Sequence, residues 1–258
     1  MLKGLYTAYT GMLNEQNRMD ILTNNLANAS TVGFKKEGAT SQSFDSVLAV
    51  KIKDQSVGAK NVQRIGINHP GVKIGENYTD YTQGSFRITG NTYDLALSGQ
   101  GFFAVEFTNK TGETSTLYTR AGQFTLNKDG YLVNENGDYV LDTQSKRIKL
   151  NTLAETAIAS DGTIEQNGIP VAKIQVADFE DYNYLEKYGE TYYKPVQGAK
   201  LTQSDAEVKS GYLEMANVQV VSKMVNLISI TRAYESNQKI IQTYDNTLEI
   251  AATQLGRV

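Results

Sequence analysis

The stretch LISITRAYESNQKIIQTYDNTLEIAATQL, residues 227–255, decides how this chain is built. Leu227, Tyr234, Ile241, Leu248 and Leu255 recur every seven residues, and Ile230, Tyr244 and Ala251 fill the positions between them. A seam of this period belongs to a helix that lies lengthwise against another helix. Gly211 precedes the pattern and Gly256 follows it, with no Gly or Pro from Tyr212 to Leu255. The reading is a helix of about 40 residues, roughly 60 Å at the α-helical rise. Asn237 interrupts the seam. Either it is a buried Asn that fixes register at a cost in stability, or it sits on the exposed edge of a broader apolar face.

A second seam lies at the other end of the chain. Leu5, Met12, Met19 and Leu26 also recur every seven residues, extended by Leu2 and Tyr9 and interrupted by Gln16 and Thr23. The pattern predicts a helix from Leu2 to about Ala27. Gly4, Ala8 and Gly11 form a separate small-residue face. Each glycine weakens an isolated helix by about 1 kcal/mol relative to alanine, so the face makes sense where neighbouring helices approach closely. Asn28-Ala29-Ser30-Thr31-Val32-Gly33-Phe34 closes the helix. Asn tolerates the left-handed backbone, Gly33 supplies a turn, and Phe34 anchors the exiting chain.

Between the seams the period changes. Ser41–Val50 reads as a short helix and Lys51–Gly75 as extended linker. From Val72 to Lys200 short apolar runs alternate with turn residues, among them Asn127-Lys128-Asp129-Gly130, Asn134-Glu135-Asn136-Gly137, Asp161-Gly162 and Asn167-Gly168. Such punctuation predicts antiparallel hairpins. The fold class expected is α+β: paired, coiled-coil-like N- and C-terminal helices with an inserted antiparallel β domain. The expected division is 1–34 plus 212–258 as a terminal helical assembly domain, 35–71 as an extended linker, and 72–211 as the central β domain.

Composition narrows the function. The 258 residues carry 25 basic and 28 acidic side chains, a net charge of −3, which gives no basic footprint for nucleic acid or an anionic membrane. There is no cysteine, so disulfides, thiolate zinc sites and cysteine nucleophiles are excluded. The start, Met1-Leu2-Lys3-Gly4-Leu5-Tyr6-Thr7, lacks the layout of a cleaved secretory signal. No window reaches the roughly 20 apolar residues of a membrane span. The single histidine, His69, sits in the turn-like Asn68-His69-Pro70-Gly71 with no nucleophile motif beside it. Gly99-Gln100-Gly101 lacks the remaining residues of a phosphate loop and reads as a tight turn or bulge. Asp181 and Glu186 among Tyr182, Tyr184 and Tyr188 leave open a carbohydrate-active alternative, or an adhesive tyrosine-rich loop. Neither a cofactor nor a metal is expected.

The stretch Asn24-Asn25-Leu26-Ala27-Asn28-Ala29-Ser30-Thr31-Val32-Gly33-Phe34-Lys35 resembles the N-terminal signature of bacterial flagellar basal-body rod and hook proteins. So do Ser210-Gly211-Tyr212-Leu213-Glu214, Asn217-Val218-Gln219-Val220 and Arg232-Ala233-Tyr234-Glu235-Ser236-Asn237 near the other end. Asp94-Leu95-Ala96-Leu97-Ser98-Gly99-Gln100-Gly101-Phe102-Phe103 and Tyr118-Thr119-Arg120-Ala121-Gly122-Gln123-Phe124 resemble the β domain of its distal rod members. Arg232-Ala233-Tyr234-Glu235 favours the distal rod protein over its sister between proximal and distal rod, the length is short for a hook protein, the full β domain is unlike small proximal rod proteins, and the start resembles the paired rod proteins of Gram-positive bacteria.

The resemblance implies a non-enzymatic axial subunit of the flagellar rod, self-assembling into a helical tube that transmits torque from motor to hook. It further implies export by the flagellar type III apparatus without signal cleavage. The resulting place is the basal body, outside the cytoplasmic membrane. Implied partners are further copies, other rod and hook subunits, the export apparatus and bushing ring proteins, with neither nucleic acid nor membrane insertion. The expected assembly interface is Leu5, Met12, Met19, Leu26, Leu227, Ile230, Tyr234, Ile241, Tyr244, Leu248 and Leu255. The signature residues are Asn24, Asn25, Leu26, Ala27, Asn28, Thr31, Gly33 and Phe34. Phe44 and Leu48 resemble a short export element; a Phe and a Leu packing on the linker is the alternative.

Overall fold

The computed structural model describes residues 2–44, 47–52, 62–68, 71–110 and 112–255. It divides into two units. One comprises Met1–Leu26, Glu37–Asp80 and Gln219–Val258; the other comprises Ala27–Lys36 and Tyr81–Val218. The class is α+β, with a helix near each end and an antiparallel β domain. No helix among the described residues is long and apolar enough to cross a membrane.

The first unit contains α1 (Leu2–Ala27), β1 (Glu37–Ser43), β2 (Val47–Ile52), β3 (Val62–Asn68), β4 (Val72–Thr79) and α2 (Val220–Leu255). Strands β1 and β4 pair antiparallel from Glu37↔Thr79 to Ser43↔Val72, with a bulge between Ala39 and Ser41. The Tyr78 ring lies over Gly38, its cross-strand partner, covering backbone that a glycine leaves bare. Strands β2 and β3 pair with each other. The stretch 35–71, expected as a linker, therefore carries paired strands, and Ser41–Val50, expected as a helix, contributes to β1 and β2. The sequence lacks strong alternation here, and cross-strand pairing overrides weak local preference. His69 lies outside the described residues.

The second unit is built on a sheet whose middle strands are Phe102–Thr108 and Thr114–Thr119, paired through Phe103↔Thr119 to Thr108↔Thr114. Tyr139–Val140 and Val176–Phe179 also pair with Phe102–Thr108, and Tyr192–Pro195 pairs with Thr114–Thr119. Side chains alternate between two cores, as the two-residue period of a strand requires. Phe103, Val105, Leu117, Val140 and Tyr192 face one cluster with Leu95, Phe124, Leu132, Ile148 and Ile164. Phe102, Ala104, Tyr118, Leu141 and Tyr193 face the other with Phe179 and Leu185. The second core is aromatic: Phe102 meets Phe179, Tyr182 and Tyr193 at centroid separations of 6.2, 5.8 and 5.2 Å. At the hairpin joining Thr163–Gln166 to Ile169–Lys173, Asn167 and Gly168 take φ of 51° and 77°. Both turn residues are left-handed, as Asn-Gly in a two-residue hairpin permits.

Helix α2 begins later than the expected Tyr212. Tyr212–Glu214 is instead a strand paired with Phe86–Ile88, from Tyr212↔Ile88 to Glu214↔Phe86. Absence of Gly and Pro allows a helix but does not compel one. Here the strand partner and the burial of Glu214 win over propensity.

Candidate functional site

The residues expected as a seam near the C-terminus lie on α2 of the first unit. Leu227, Tyr234, Asn237, Ile241, Tyr244 and Ala251 are half-buried and Ile230 is buried. Leu248 is exposed at 44%, and the Leu255 side chain lies outside the described residues. On α1, Leu5, Met12, Met19 and Leu26 are half-buried. The small-residue face of α1 also meets α2. A side chain at Gly4 would collide with the Tyr244 ring, and a Cβ at Gly11 would lie 3.1 Å from the Asn237 amide nitrogen. A cavity of about 330 Å³ follows, lined by Arg18, Ile21, Leu22, Tyr78, Ile230 and Ala233 among others.

Another stripe of α1 is polar and faces the β1–β4 hairpin. Thr10 lies against Gly71 so closely that a Cβ there would clash. Ser41 Oγ donates to Asn14 Oδ1 at 3.2 Å. Asn25 clamps the first residue of β1 from both sides: its Nδ2 donates to Glu37 O and its Oδ1 accepts from Glu37 N, each at 2.8 Å. A side-chain amide can satisfy one residue's backbone donor and acceptor together.

Apolar side chains also remain in solvent. Val221, Met224, Val225 and Ile228 of α2 are exposed, as are Tyr6, Tyr9 and Leu13 of α1. Their spacing places each set on one helix face. The expected export element is only partly described: Phe44 is half-buried, residues 45–46 lie outside the described residues, and so does the side chain of Leu48.

In the second unit three separate sequence motifs converge. After α1, Thr31 N and Oγ1 donate to Asn28 O and Oδ1, both at 3.1 Å, closing a turn. Gly33 has φ +70°, and a Cβ there would strike the backbone of Arg120 and Ala121, so both conformation and space demand glycine. Gly33 N donates to Glu214 O at 2.8 Å. Phe34 is buried, with Lys187 Nζ 4.3 Å above its ring centroid. Lys35 is 1% exposed, and its Nζ donates to Glu214 Oε1 at 2.7 Å and Thr82 O at 2.8 Å. Arg120 Nη1 donates to Glu214 Oε2 at 3.1 Å, and its Nη2 to Gly99 O at 2.7 Å. Gly84 N donates to Glu214 Oε1 at 2.9 Å. One buried carboxylate thus binds two cations and a backbone amide. Charged groups taken from water are tolerated only when paired and hydrogen-bonded in this way.

Arg120, Glu214 and Asn217 stand inside the sequence motifs with no role expected of them, and the doublet Lys35-Lys36, expected as a solvated turn, instead buries Lys35. Their type gave no warning, because Lys, Arg and Glu normally signal a wet surface. The carboxylates weighed for sugar chemistry have structural neighbours. Asp181 caps a short helical turn by accepting from Asn183 N at 2.9 Å, and Glu186 lies opposite Lys194 on paired strands. A polar network does lie within the β unit: Asn134 Nδ2 donates to Tyr192 Oη at 2.6 Å and to Asp138 Oδ2 at 3.1 Å, and Tyr192 Oη donates to Asp138 Oδ2. Burial, then the Asp138 carboxylate, pushes the Tyr192 hydroxyl up to about 12.

These contacts describe two helices that keep apolar side chains in solvent and a β unit built around two buried cores. Comparison with known families gives three matches in chain order. Residues 5–35 match the flagellar basal body rod protein model, 96–168 the flagellar hook protein FlgE/F/G D1 domain, and 209–255 the flagellar basal body rod FlgEFG protein C-terminal model. The flagellar basal-body rod protein FlgF of Caulobacter vibrioides is 34% identical over 100% of this chain and 98% of its own length. FlgG of Bacillus subtilis is 32% identical over 96% of this chain and 97% of its own. The flagellar hook-basal body complex protein FlhO of Bacillus subtilis is 31% identical over the full length of both. The chain belongs to the flagellar basal-body rod and hook protein family, whose members are structural subunits and not enzymes.

Proposed function

We propose that the chain is a subunit of the distal flagellar rod, polymerising with its own copies and related rod and hook subunits into a tube that carries torque. The observation that carries this reading is the surplus apolar surface of the helices, above all Val221, Met224, Val225 and Ile228. Contiguous apolar faces of this kind point to association. A subunit that offers different faces to successive neighbours makes a non-closing contact and builds a helix of subunits.

The coiled-coil pairing of α1 with α2 belongs to this proposal. It is supported by the paired approaches of Gly4 to Tyr244 and Gly11 to Asn237. Seven residues forward on α1 correspond to seven backward on α2, the register of an antiparallel heptad pair. Export through the type III apparatus without signal cleavage, and a bushing ring around the assembled rod, complete the reading by family analogy. Distal placement rests on Arg232-Ala233-Tyr234-Glu235; an intermediate rod position is the second reading, because relatives under different rod-protein names match this chain about equally well.

Locating the chain in isolated basal bodies tests the function. Labelling confined to the segment next to the hook supports the distal position. Labelling nearer the motor supports the intermediate one, and absence from the axial structure overturns both.

A further inference from the structure

The chain passes between its two units four times, after residues 26, 36, 80 and 218. On the β-unit side, residues beside the last three passages, and Gly33 on the segment between the first two, are bonded into one cluster. Asn217, beside the last passage, accepts from Lys36 N on Oδ1 at 2.8 Å. Its Nδ2 donates to Thr82 O at 3.1 Å and to Thr82 Oγ1 at 3.0 Å, next to the third passage. Lys35 Nζ ties the second passage to Thr82 and Glu214. Gly33 N, on the segment that enters at residue 27, bonds Glu214 O, and Gly84 N bonds the Glu214 carboxylate.

We propose that Asn217, Lys35 and Glu214 form a clasp that makes the β-unit ends of the segments 27–36, 81–84 and 214–218 one cooperative unit. Loops that each crossed alone would open independently and at low cost. Bonded to shared acceptors, they open together or not at all. Asn217 is the positioning residue of the clasp: its planar amide joins Lys36 to Thr82 across 181 and 135 residues of sequence. The clasp itself goes beyond the rod reading, since its geometry is independent of what the helices bind.

Amide hydrogen exchange of the soluble full-length chain, resolved at single residues, tests it. Asn217→Ala is expected to accelerate exchange at Gly33, Lys36 and Gly84 together, by up to about tenfold, the effect of one lost hydrogen bond. Amides at Val105 and Tyr118 in the central strands should keep their rates. Acceleration at Lys36 alone, which loses its acceptor directly, overturns the clasp. If Asn217→Ala exposes Val105 and Tyr118 as well, Thr82→Val replaces it. That variant removes one acceptor and preserves shape. It should accelerate Gly33 and Lys36 together, and unchanged rates at both again overturn the proposal. Neither outcome depends on where the chain sits in the flagellum.

Discussion

The β unit and the helical unit differ in how much of their apolar set they bury, although Ile88, Leu153, Ile169 and Leu201 of the β unit also lie in solvent. In the β unit Leu95, Phe102, Phe103, Val105, Phe124, Leu132 and Tyr193 are wholly buried, on both faces of one sheet. In the helical unit, among the described residues, only Ala8 and Ile230 of the hydrophobic set are buried, while Val221, Val225 and Ile228 lie in solvent. A helix draws most of its stability from packing an apolar face. The β unit therefore carries its stability within itself, and the helical unit is left with bonding capacity for neighbours.

The largest expected effect comes from cutting the β unit at the wrong place. A fragment spanning 27–218 should fold cooperatively, whereas 31–211, which lacks Glu214 and the strand Tyr212–Glu214, should not. Circular dichroism and limited proteolysis of the two fragments decide this; equal behaviour would break the comparison. Next comes the buried carboxylate. Glu214→Ala leaves Lys35 and Arg120 buried beside each other without their anion and is expected to destabilise the β unit by about 3–5 kcal/mol, read by denaturant unfolding of the full chain.

The helical unit should respond the other way. Ile241→Asp is expected to abolish rod growth, and with it swimming, while moving the melting temperature of the β unit by less than about 2 °C. An equal loss of both would mean that the two units are not energetically separate.

Smaller still is the alkaline limit of the β unit. Tyr192 has a folded pKa of about 12, above the ordinary tyrosine value of 10.0. The protonated hydroxyl is thus the form the fold favours. Its contribution is complete below about pH 10 and fades as pH rises towards about 12, by about 3 kcal/mol at most. Tyr192→Phe should flatten that part of the stability–pH curve. The smallest effect belongs to the surface pair of Arg147 with Glu106, 2.7 Å apart with the arginine 43% exposed. The Arg147 hydrogen bond holds the Glu106 carboxyl below its usual range. Glu106→Gln should nonetheless cost less than about 1 kcal/mol, because exposed pairs are screened by water.

Much of this was legible beforehand wherever a feature is local. The heptad at Leu227, Tyr234 and Ile241 falls on one long helix, α2, and Asn167-Gly168 makes the hairpin its residue types require. The β1–β4 pairing was not legible, because its strands lack alternation and are held by a partner some 30 residues away. Gly4 and Gly11 were read as contacts for neighbouring molecules, yet in this chain they receive Tyr244 and Asn237 of its own second helix.

The sequence by itself determined two long helices, a hairpin-rich centre and membership of a family, since period, turn chemistry and motif order are written in neighbouring residues. Only the tertiary structure decided that Lys35, Arg120 and Glu214 meet, across separations of 179 and 94 residues. A charged side chain reads the same whether it ends in water or beside a buried counter-ion. What distinguishes the two is the chain that folds over it, and that depends on contacts no local window contains.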